Sequence, residues 1–219
     1  MESACVPPYN LPKYCRDVYE PAEDSYLLLD ALRKERSFLE ILHPTICVEI
    51  GCGTGVIFTY LATLLHRNGH DALFLATDVN PTATVVASQT AALNKIPFVD
   101  VIRTDLLKCI DHRLEQSIDV LIFNPPYVPT PSHEVKSHGI EAAWAGGVLG
   151  REVIDRILPR VKGLLSPSGV LYMIVLEENR PNEIMRILQS DDLDTTIVLS
   201  RKCSNEKLYV LKAQRRIKT

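Results

Sequence analysis

The sequence predicts a single α/β domain: a mostly parallel seven-stranded sheet with helices on both faces and an antiparallel hairpin at the C-terminus. Short apolar runs alternate with stretches of helical periodicity, which is the pattern of strand-helix-strand units. The last two strand-like runs instead follow each other across a short polar segment, as in a hairpin. The 219 residues, 46% of them hydrophobic, suffice for one sizeable core, and no linker composition divides them.

The predicted elements are taken in chain order. Residues 23–42 carry leucines at helical spacing and predict one amphipathic helix. Residues 1–44 are expected to form an N-terminal segment and this helix, and residues 45–219 the sheet core. Two helical patterns follow, one after Gly55 and one that begins near Pro81 and runs to about Asn94. The predicted strands are 45–50, 72–77, 99–104, 118–123 and 170–176, with a helix over 150–165 before the last of these and a hairpin over 195–200 and 207–212.

Composition excludes several classes of function. The net charge of −3 and the isoelectric point near 6.1 argue against a protein that binds nucleic acid, which normally needs a basic face. The basic residues of the predicted helix 150–165, Arg156 among them, are interpreted as solvated surface. The N-terminus has no apolar signal core, and the longest apolar stretch is far too short to span a bilayer. We expect a soluble protein with no membrane contact, located in the cytoplasm and also in the nucleus.

Six cysteines are present, without any Cys-x-x-Cys pair. The spacing indicates neither a metal site nor a disulfide framework, so reduced thiols are expected. Cys52 stands inside a glycine-rich turn, where a small side chain that fits the turn explains it better than a nucleophile does.

The residues with the clearest chemical implication are Asn124, Pro125, Pro126 and Tyr127, which end the predicted strand 118–123. The prolines restrain the loop, and such a loop at a strand's carboxyl end is where open α/β sheets bind ligands. The Asn124 side-chain oxygen and the Pro125 carbonyl are suited to accepting hydrogen bonds from a planar NH2 group, and the Tyr127 ring to packing on a flat substrate. The alternative is a strand stopped by prolines, with a half-buried tyrosine.

The loop offers acceptors but no base, and this limits its chemistry. The nitrogen of a planar NH2 group is a poor nucleophile because its lone pair is delocalised. Two fixed acceptors would stabilise the positive charge that grows on it during attack. The electrophile must therefore be strong, and the methyl sulfonium of S-adenosylmethionine meets that requirement without a metal.

Three glycines, Gly51, Gly53 and Gly55, follow the first predicted strand and precede a helical pattern. Glycine lets the backbone approach a ligand closely, and the start of the next helix supplies unpaired N–H groups. The spacing indicates a cofactor loop, with a tight structural turn as the alternative. A dinucleotide fingerprint would place its third glycine one residue later, where Val56 stands, which weakens an NAD interpretation.

Acidic residues follow the next two predicted strands. Asp78 comes directly after the strand 72–77, where a carboxylate is suited to binding both hydroxyls of a ribose. Asp105, followed by Leu106, comes after the strand 99–104 and is suited to accepting a hydrogen bond from an adenine amino group. A single aspartate in such a place is usually a solvated loop residue. Ligand-type residues after successive strands favour a nucleoside site.

Taken together, the motif 49–55, Asp78, Asp105 and the motif 124–127 resemble a class I S-adenosylmethionine-dependent methyltransferase, which has a Rossmann-like sheet. The segments 17–25 and 137–147 resemble, more narrowly, the eukaryotic and archaeal branch of the HemK family. Members of that branch methylate the side-chain nitrogen of the glutamine in the Gly-Gly-Gln tripeptide of the class 1 translation release factor. The resemblance therefore implies a protein-glutamine N5-methyltransferase.

The resemblance also implies roles for individual residues. The cofactor S-adenosylmethionine would be bound by Tyr19, Pro21, Ser25, Glu49, Gly51, Gly53, Gly55, Asp78, Asp105, Leu106 and Asn124. Within this set Tyr19, Pro21 and Ser25 belong to an N-terminal segment that covers the cofactor. The acceptor would be bound by Asn124, Pro125, Pro126 and Tyr127, with Asn124, Pro125 and Tyr127 as the catalytic residues. One departure concerns Val148 and Leu149, which stand where relatives have a polar residue and put a substrate or cofactor contact there in doubt.

A partner is implied as well. Relatives in this branch form heterodimers with a small zinc-binding activator subunit shared among several methyltransferases. In the class I strand order the third strand lies at the edge of the sheet, which would leave Phe98, Val99 and Val101 on an edge with few charges. Unprotected apolar edges invite pairing. We expect the heterodimer to form through this edge.

Three alternatives remain open. The motif 124–127 also resembles that of nucleic acid amino methyltransferases, including adenine N6-methyltransferases, although the acidic balance and the lack of a target-recognition domain disfavour them. A non-catalytic relative that acts as a binding module is disfavoured by the intact motifs. Lysine methylation, including that of histones, is a second activity that the resemblance suggests. The roles of His133, His138 and Trp144 stay open.

Overall fold

The computed structural model describes residues 4–11, 15–67, 69–136, 140–203 and 206–216. In these residues, seven strands form one sheet: β1 (Ile46–Ile50), β2 (Leu73–Asp78), β3 (Val99–Arg103), β4 (Ile118–Phe123), β5 (Leu165–Leu176), β6 (Leu193–Cys203) and β7 (Glu206–Arg215). Their order across the sheet is β3-β2-β1-β4-β5-β7-β6. The first five strands pair in parallel, and β7 runs antiparallel to both of its neighbours. The predicted fold class is confirmed, with β3 at one edge.

Helices cover both faces of this sheet: α1 (Glu23–Lys34), α2 (Arg36–Leu42), α3 (Val56–His66), α4 (Pro81–Leu93), α5 (Ile154–Ile157), α6 (Val161–Leu164) and α7 (Pro181–Ser190). Because side chains alternate along a strand, each strand serves two apolar clusters. In β4, Val120 and Ile122 face α1 and α3, whereas Leu121 and Phe123 face α5, α6 and α7. Burial on both faces explains the unbroken apolar character of this strand.

The predicted helix over 23–42 is two helices, which meet at Glu35. Tyr172 of β5 donates a hydrogen bond of 3.1 Å to the Glu35 carboxylate, and Lys212 of β7 forms an ion pair with it. The Lys212 ammonium also lies 3.4 Å from the ring centre of Phe38. These contacts hold the junction of the two helices against the sheet, an influence that leucine spacing does not reveal.

The predicted helix over 150–165 is also interrupted. It consists of α5, a 3-10 turn over Leu158–Arg160, and α6. Pro159 explains the interruption, because proline has no N–H to donate within a helix and its ring crowds the preceding turn. The helix α7 was not among the predicted elements. None of the helices in the described ranges combines the length and the apolar character that a membrane span needs.

Candidate active site

A cavity of about 700 Å³ lies at the carboxyl ends of β1 to β4. The residues that follow each of these strands line it, in agreement with the usual place of ligands in open α/β sheets. The sequence-predicted site residues on its wall are Tyr19, Pro21, Ser25, Glu49, Gly51, Gly53, Asp78, Asp105, Leu106, Asn124 and Pro126. Gly55, Pro125 and Tyr127 lie outside the described lining.

Gly55 has a structural position behind the cavity. It precedes α3 with a φ of 79°, and a Cβ built on it would lie 2.8 Å from the Phe58 ring and 2.9 Å from the Ala87 backbone. A side chain here would push α3 away from α4. The third glycine of the motif therefore allows two helices to pack closely, while Gly51 and Gly53 lie on the wall.

Asp78 ends β2 and closes the glycine turn from the side. Its Oδ2 accepts a hydrogen bond of 2.9 Å from the Gly53 N–H, and its Oδ1 accepts one of 2.9 Å from the Asn80 N–H. Burial raises the pKa of Asp78, and the hydrogen bonds from these N–H groups oppose that rise. A carboxylate has about four lone-pair sites. The geometry leaves acceptor capacity for the hydroxyl groups of a ligand.

Glu49 at the end of β1 is almost fully buried. Its Oε2 accepts a hydrogen bond of 2.9 Å from the Phe58 N–H in the first turn of α3. Its Oε1 is buried and finds no partner within the described part of the chain. Burial raises the pKa of Glu49 well above its usual value. Buried polar atoms are rarely left unpaired, so this orphan on the cavity wall indicates a polar ligand group.

Arg156 is exposed, as predicted, but it also lies on the cavity wall. Arg151 of the same basic group is buried and donates to Asp155 and to the Asn179 carbonyl, so its interpretation as solvated surface is wrong.

Arg156 belongs to α5, and its Nη2 donates to both Asp105 oxygens at 2.7 and 2.6 Å. Lys108 lies 2.7 Å from the same carboxylate. Although burial raises the pKa of Asp105, the bonds from Arg156 and Lys108 outweigh it and keep that pKa below its usual value. Leu106 has a φ of 53°, a strained conformation of the kind found at ligand sites.

The N-terminal segment closes the cavity from above. Val18 is buried against Ala83 and Val86 of α4. The Asn80 side chain donates to the Asp17 carbonyl, while its own oxygen accepts from the Thr82 N–H and caps α4. The segment 15–22 is therefore fixed to the same helix start that carries the Asp78 bond.

Asn124, directly after β4, has one satisfied and one unsatisfied end. Its Nδ2 donates a hydrogen bond of 2.9 Å to Asp24 Oδ2. Its Oδ1 is buried, and no described residue donates to it. Since Asn124 lines the cavity, it presents a fixed acceptor with its bonding capacity free.

Asp24 is a further residue of the cavity wall that the sequence predictions missed. It is 3% exposed, lies on the cavity wall, and accepts a 2.7 Å bond from the Ser25 N–H through Oδ1. The Tyr19 hydroxyl lies 3.5 Å from the same oxygen. Burial and then Asp24 raise the pKa of Tyr19 to about 12. An acid in the first turn of a helix normally suits the helix dipole on a solvated surface, and nothing in the local pattern distinguishes a buried one.

Tyr127 has its ring between the two apolar clusters. Burial, and next the neighbouring Asp24, raise the pKa of its hydroxyl. Its main-chain carbonyl accepts a 2.8 Å bond from the side chain of Asn179, which is fully buried. The packing of this ring on a flat substrate stays a prediction.

The turn 146–150 packs over the motif 124–127. A Cβ on Gly150 would lie 1.9 Å from the Tyr127 carbonyl oxygen, and Asn179 also donates 2.8 Å to the Leu149 carbonyl. Val148 and Leu149 themselves are exposed. The departure noted in the sequence thus places two apolar side chains on the outer surface of this turn.

The sequence left open the roles of three residues, and the structure describes the surroundings of two of them. His133 is exposed and Trp144 is half-buried, with its carbonyl bonded to the Val128 N–H. His138 and the start of the segment 137–147 lie outside the described residues. Among the residues that are described, His, Cys, Asp and Glu side chains nowhere gather in threes that could hold a metal ion.

Residues 21–198 of the chain match the family described as the methyltransferase small domain. The chain belongs to this methyltransferase family. Human methyltransferase HEMK2 is 50% identical to it over 196 residues, which cover 90% of this chain and 89% of the relative. The eRF1 methyltransferase catalytic subunit mtq2 of Schizosaccharomyces pombe is 36% identical over 214 residues, which cover 93% and 91%. These relatives confirm that this methyltransferase is of the HemK type.

A solved structure agrees with this assignment. A chain of the E. cuniculi Mtq2-Trm112 complex, responsible for the methylation of the eRF1 translation termination factor, has a TM-score of 0.64 to this methyltransferase at 34% identity. The match covers 91% of this chain and 99% of that one. The likeness therefore extends over the sheet, the cavity and the helices around it.

Proposed function

We propose that this methyltransferase transfers a methyl group to the side-chain amide nitrogen of the glutamine in the Gly-Gly-Gln tripeptide of the class 1 translation release factor. The buried, unpartnered Oδ1 of Asn124 on the cavity wall carries the proposal. It is an acceptor, and a primary carboxamide is a planar donor that matches it. Two proteins similar to this chain support the substrate, since their names connect them with eRF1 methylation.

The cavity fits S-adenosylmethionine as the methyl donor. Its volume of about 700 Å³ suits a ligand of this size. Asp78 retains acceptor sites for the ribose hydroxyls. Leu106, whose backbone is strained, lies next to the place proposed for the adenine. The unpaired Glu49 Oε1 is an acceptor for a donor group of the ligand. When bound, this cofactor supplies an electrophilic methyl group on a sulfonium.

The protein's own residues orient the acceptor. Asn124 Oδ1, on the cavity wall, accepts one N–H of the glutamine amide. The family resemblance adds the Pro125 carbonyl as the acceptor of the other N–H, although Pro125 lies outside the cavity lining. Acceptors in fixed positions stabilise the positive charge that grows on the nitrogen. The nitrogen becomes acidic as its new bond forms, so its proton leaves to water and no protein base is needed.

The test measures transfer of a labelled methyl group to the release factor, wild type and with the glutamine of the tripeptide changed. We expect labelling of the wild-type factor alone. Label that persists without the glutamine would contradict the proposal, and label on DNA or RNA or on lysine would favour the alternatives. Asn124→Ala should abolish transfer and leave affinity for the cofactor nearly unchanged, because the proposed bond forms only with the acceptor.

The proposal includes a heterodimer with a small zinc-binding partner, bound at the β3 edge. The complex of the structural neighbour supports a partner. At this edge Phe98 is 54% exposed, and Val85 and Leu93 of the adjoining α4 are 56% and 54% exposed. The strand also exposes Asp100 and Arg103, more charge than an unprotected edge would carry. The apolar contact therefore centres on Phe98 and α4.

Co-expression with the partner tests this part. Phe98→Asp combined with Leu93→Asp should prevent co-purification, because two charges would be buried in the contact. Ile41→Asp is the matched control, since Ile41 is 80% exposed on α2. A double variant that still co-purifies would contradict the proposed surface.

A further inference from the structure

We propose that Asp24 is a positioning residue that determines acceptor specificity: it turns the Asn124 carboxamide so that its oxygen, and not its NH2 group, is presented to the substrate. The inference rests on the proposed glutamine activity and deepens it. It assigns a role to a buried carboxylate that the acceptor chemistry itself does not use.

The argument begins with the symmetry of a carboxamide. The oxygen and the NH2 group have nearly the same shape, so packing alone does not decide which of them faces the substrate. Asp24 Oδ2 lies 2.9 Å from Asn124 Nδ2, 100 residues away in sequence. If the carboxamide were turned over, two acceptor oxygens would face each other at that distance and the hydrogen bond would be lost. The Asp24 carboxylate therefore selects one orientation.

Asp24 is itself held in place. Its other oxygen accepts 2.7 Å from the Ser25 N–H, and the Ser25 and Tyr19 hydroxyls lie 3.4 and 3.5 Å from it. The residue is buried in the first turn of α1, where the helix dipole favours a negative charge. A carboxylate with donors around one oxygen keeps the other oxygen directed at Asn124.

The consequence is a preference among acceptor groups. With Nδ2 committed to Asp24, only Oδ1 of Asn124 remains for the substrate, and it is buried without a partner in the described residues. This atom favours a group that donates, such as the NH2 of glutamine. It disfavours a group that only accepts, such as the carboxylate of glutamate, which has nearly the same shape.

The experiment uses the full chain, saturated with S-adenosylhomocysteine, and two peptides that differ only in Gly-Gly-Gln against Gly-Gly-Glu. Affinities are measured by fluorescence anisotropy. We expect the wild-type protein to prefer the glutamine peptide by about tenfold, the scale of one hydrogen bond between neutral groups. In Asp24→Asn the Asn124 carboxamide is free to turn its NH2 group toward the glutamate carboxylate, and the preference should fall by about tenfold.

Two controls separate orientation from other effects. Asp30→Asn makes the same chemical change on the same helix, at a carboxylate that bonds Arg201 and the Ala4 N–H, and should leave the preference unchanged. Removing the Asp24 charge could also help a glutamate by plain electrostatics. In an Asn124→Ala background only the electrostatic effect of the Asp24 charge remains, because the carboxamide is gone. We expect Asp24→Asn to change the preference little in that background.

Each outcome is decisive. If the wild-type protein does not prefer the glutamine peptide, the proposed function itself fails. If the wild-type protein prefers the glutamine peptide and Asp24→Asn keeps the same preference, the Asp24 proposal is overturned. It is also overturned if Asp24→Asn lowers the preference to the same extent in the Asn124→Ala background. Retained S-adenosylhomocysteine affinity shows that a variant is folded. Should Asp24→Asn not fold, Asp24→Ser replaces it, because serine keeps a small oxygen near the Ser25 N–H. The ratio of its affinities for the two peptides then decides in the same way.

Discussion

Asn179 donates a hydrogen bond of 2.8 Å from its side-chain amide to the main-chain carbonyl of Tyr127, 52 residues earlier in the chain. The same amide group donates to the Leu149 carbonyl, and the side-chain oxygen accepts a 2.6 Å bond from the Leu176 N–H at the end of β5. One fully buried side chain thus joins the motif 124–127, the turn 146–150 and the end of β5.

Asn179→Asp should therefore damage stability and turnover together. The oxygen that accepts from Leu176 is kept, but two buried carbonyls then face a carboxylate instead of a donor. We expect a loss of about 2–4 kcal/mol in the free energy of unfolding, measured in urea, and a lower kcat. Gln189→Glu on the surface of α7 is the control. Unchanged urea midpoint and kcat in Asn179→Asp would show that these bonds do not hold the loop.

Gly150→Ala tests the close approach of the turn to the loop. At a φ of 66°, the new Cβ would lie 1.9 Å from the Tyr127 carbonyl oxygen, so the turn must move. We expect a loss of more than about 3 kcal/mol and reduced methyl transfer. Gly163→Ala is the matched change: that residue lies in α6, with nothing within 4 Å of a Cβ, and should gain about 0.5–1 kcal/mol. Equal effects of the two changes on the thermal midpoint would refute this account.

A substitution at Asn80 can weaken the attachment of the segment 15–22 to α4 without removing the N-terminal cap of that helix. Asn80→Asp keeps an oxygen for the Thr82 N–H but loses the donor to the Asp17 carbonyl. We expect nearly unchanged stability, faster hydrogen exchange over residues 15–22 and faster release of the cofactor. Asn80→Ala loses both bonds and should cost about 1 kcal/mol more. Identical exchange rates in the wild type and Asn80→Asp would contradict the proposed attachment.

Glu49→Gln should stabilise the ligand-free protein at neutral pH. Burial raises the pKa of Glu49 well above its usual value, so its contribution to stability is present below the unfolded pKa and is lost as pH rises through the folded pKa. Glutamine keeps an acceptor for the Phe58 N–H and has no charge to bury. The variant's advantage in Tm should be absent near pH 4 and grow toward pH 8, at about 2–4 °C for each kcal/mol.

A Tm difference that is constant with pH would show that Glu49 does not titrate between these limits. Glu40→Gln on the surface of α2 provides the baseline, because that carboxylate pairs with Arg36 in the solvent. Asp78 also has a raised pKa, and its charge contributes to the raised pKa of Glu49, so Glu49→Gln removes this repulsion together with the buried charge.

The parts of the fold that the sequence predicted are those set by local pattern. Strand β4 has the predicted bounds because both its faces are buried, and α4 starts where an Asn-Pro pair predicts a helix start. The fold class of the chain followed from the alternation of such strands and helices along the sequence. The break at Glu35 did not, because its causes, Tyr172 and Lys212, come from strands more than 130 residues later.

The site divides in the same way. Gly51 and Asn124 directly follow strands and Asp78 ends one, so the sheet itself brings them together once the strand order is known. Arg156 and Asn179 act through partners 51 and 52 residues away, and neither lies in a motif. Asp24 stands inside a segment that the family resemblance covered, yet only its burial against Asn124 reveals what it does.

The bond between Asp24 and Asn124 couples the two ends of the cavity. Asp24 lies at the start of α1, directly after the segment that covers the cofactor end of the cavity, whereas Asn124 receives the acceptor. The amide that meets the acceptor is thus set by a residue next to the segment over the cofactor end. A change that displaces the start of α1 should therefore disturb the acceptor position together with the cofactor end of the cavity.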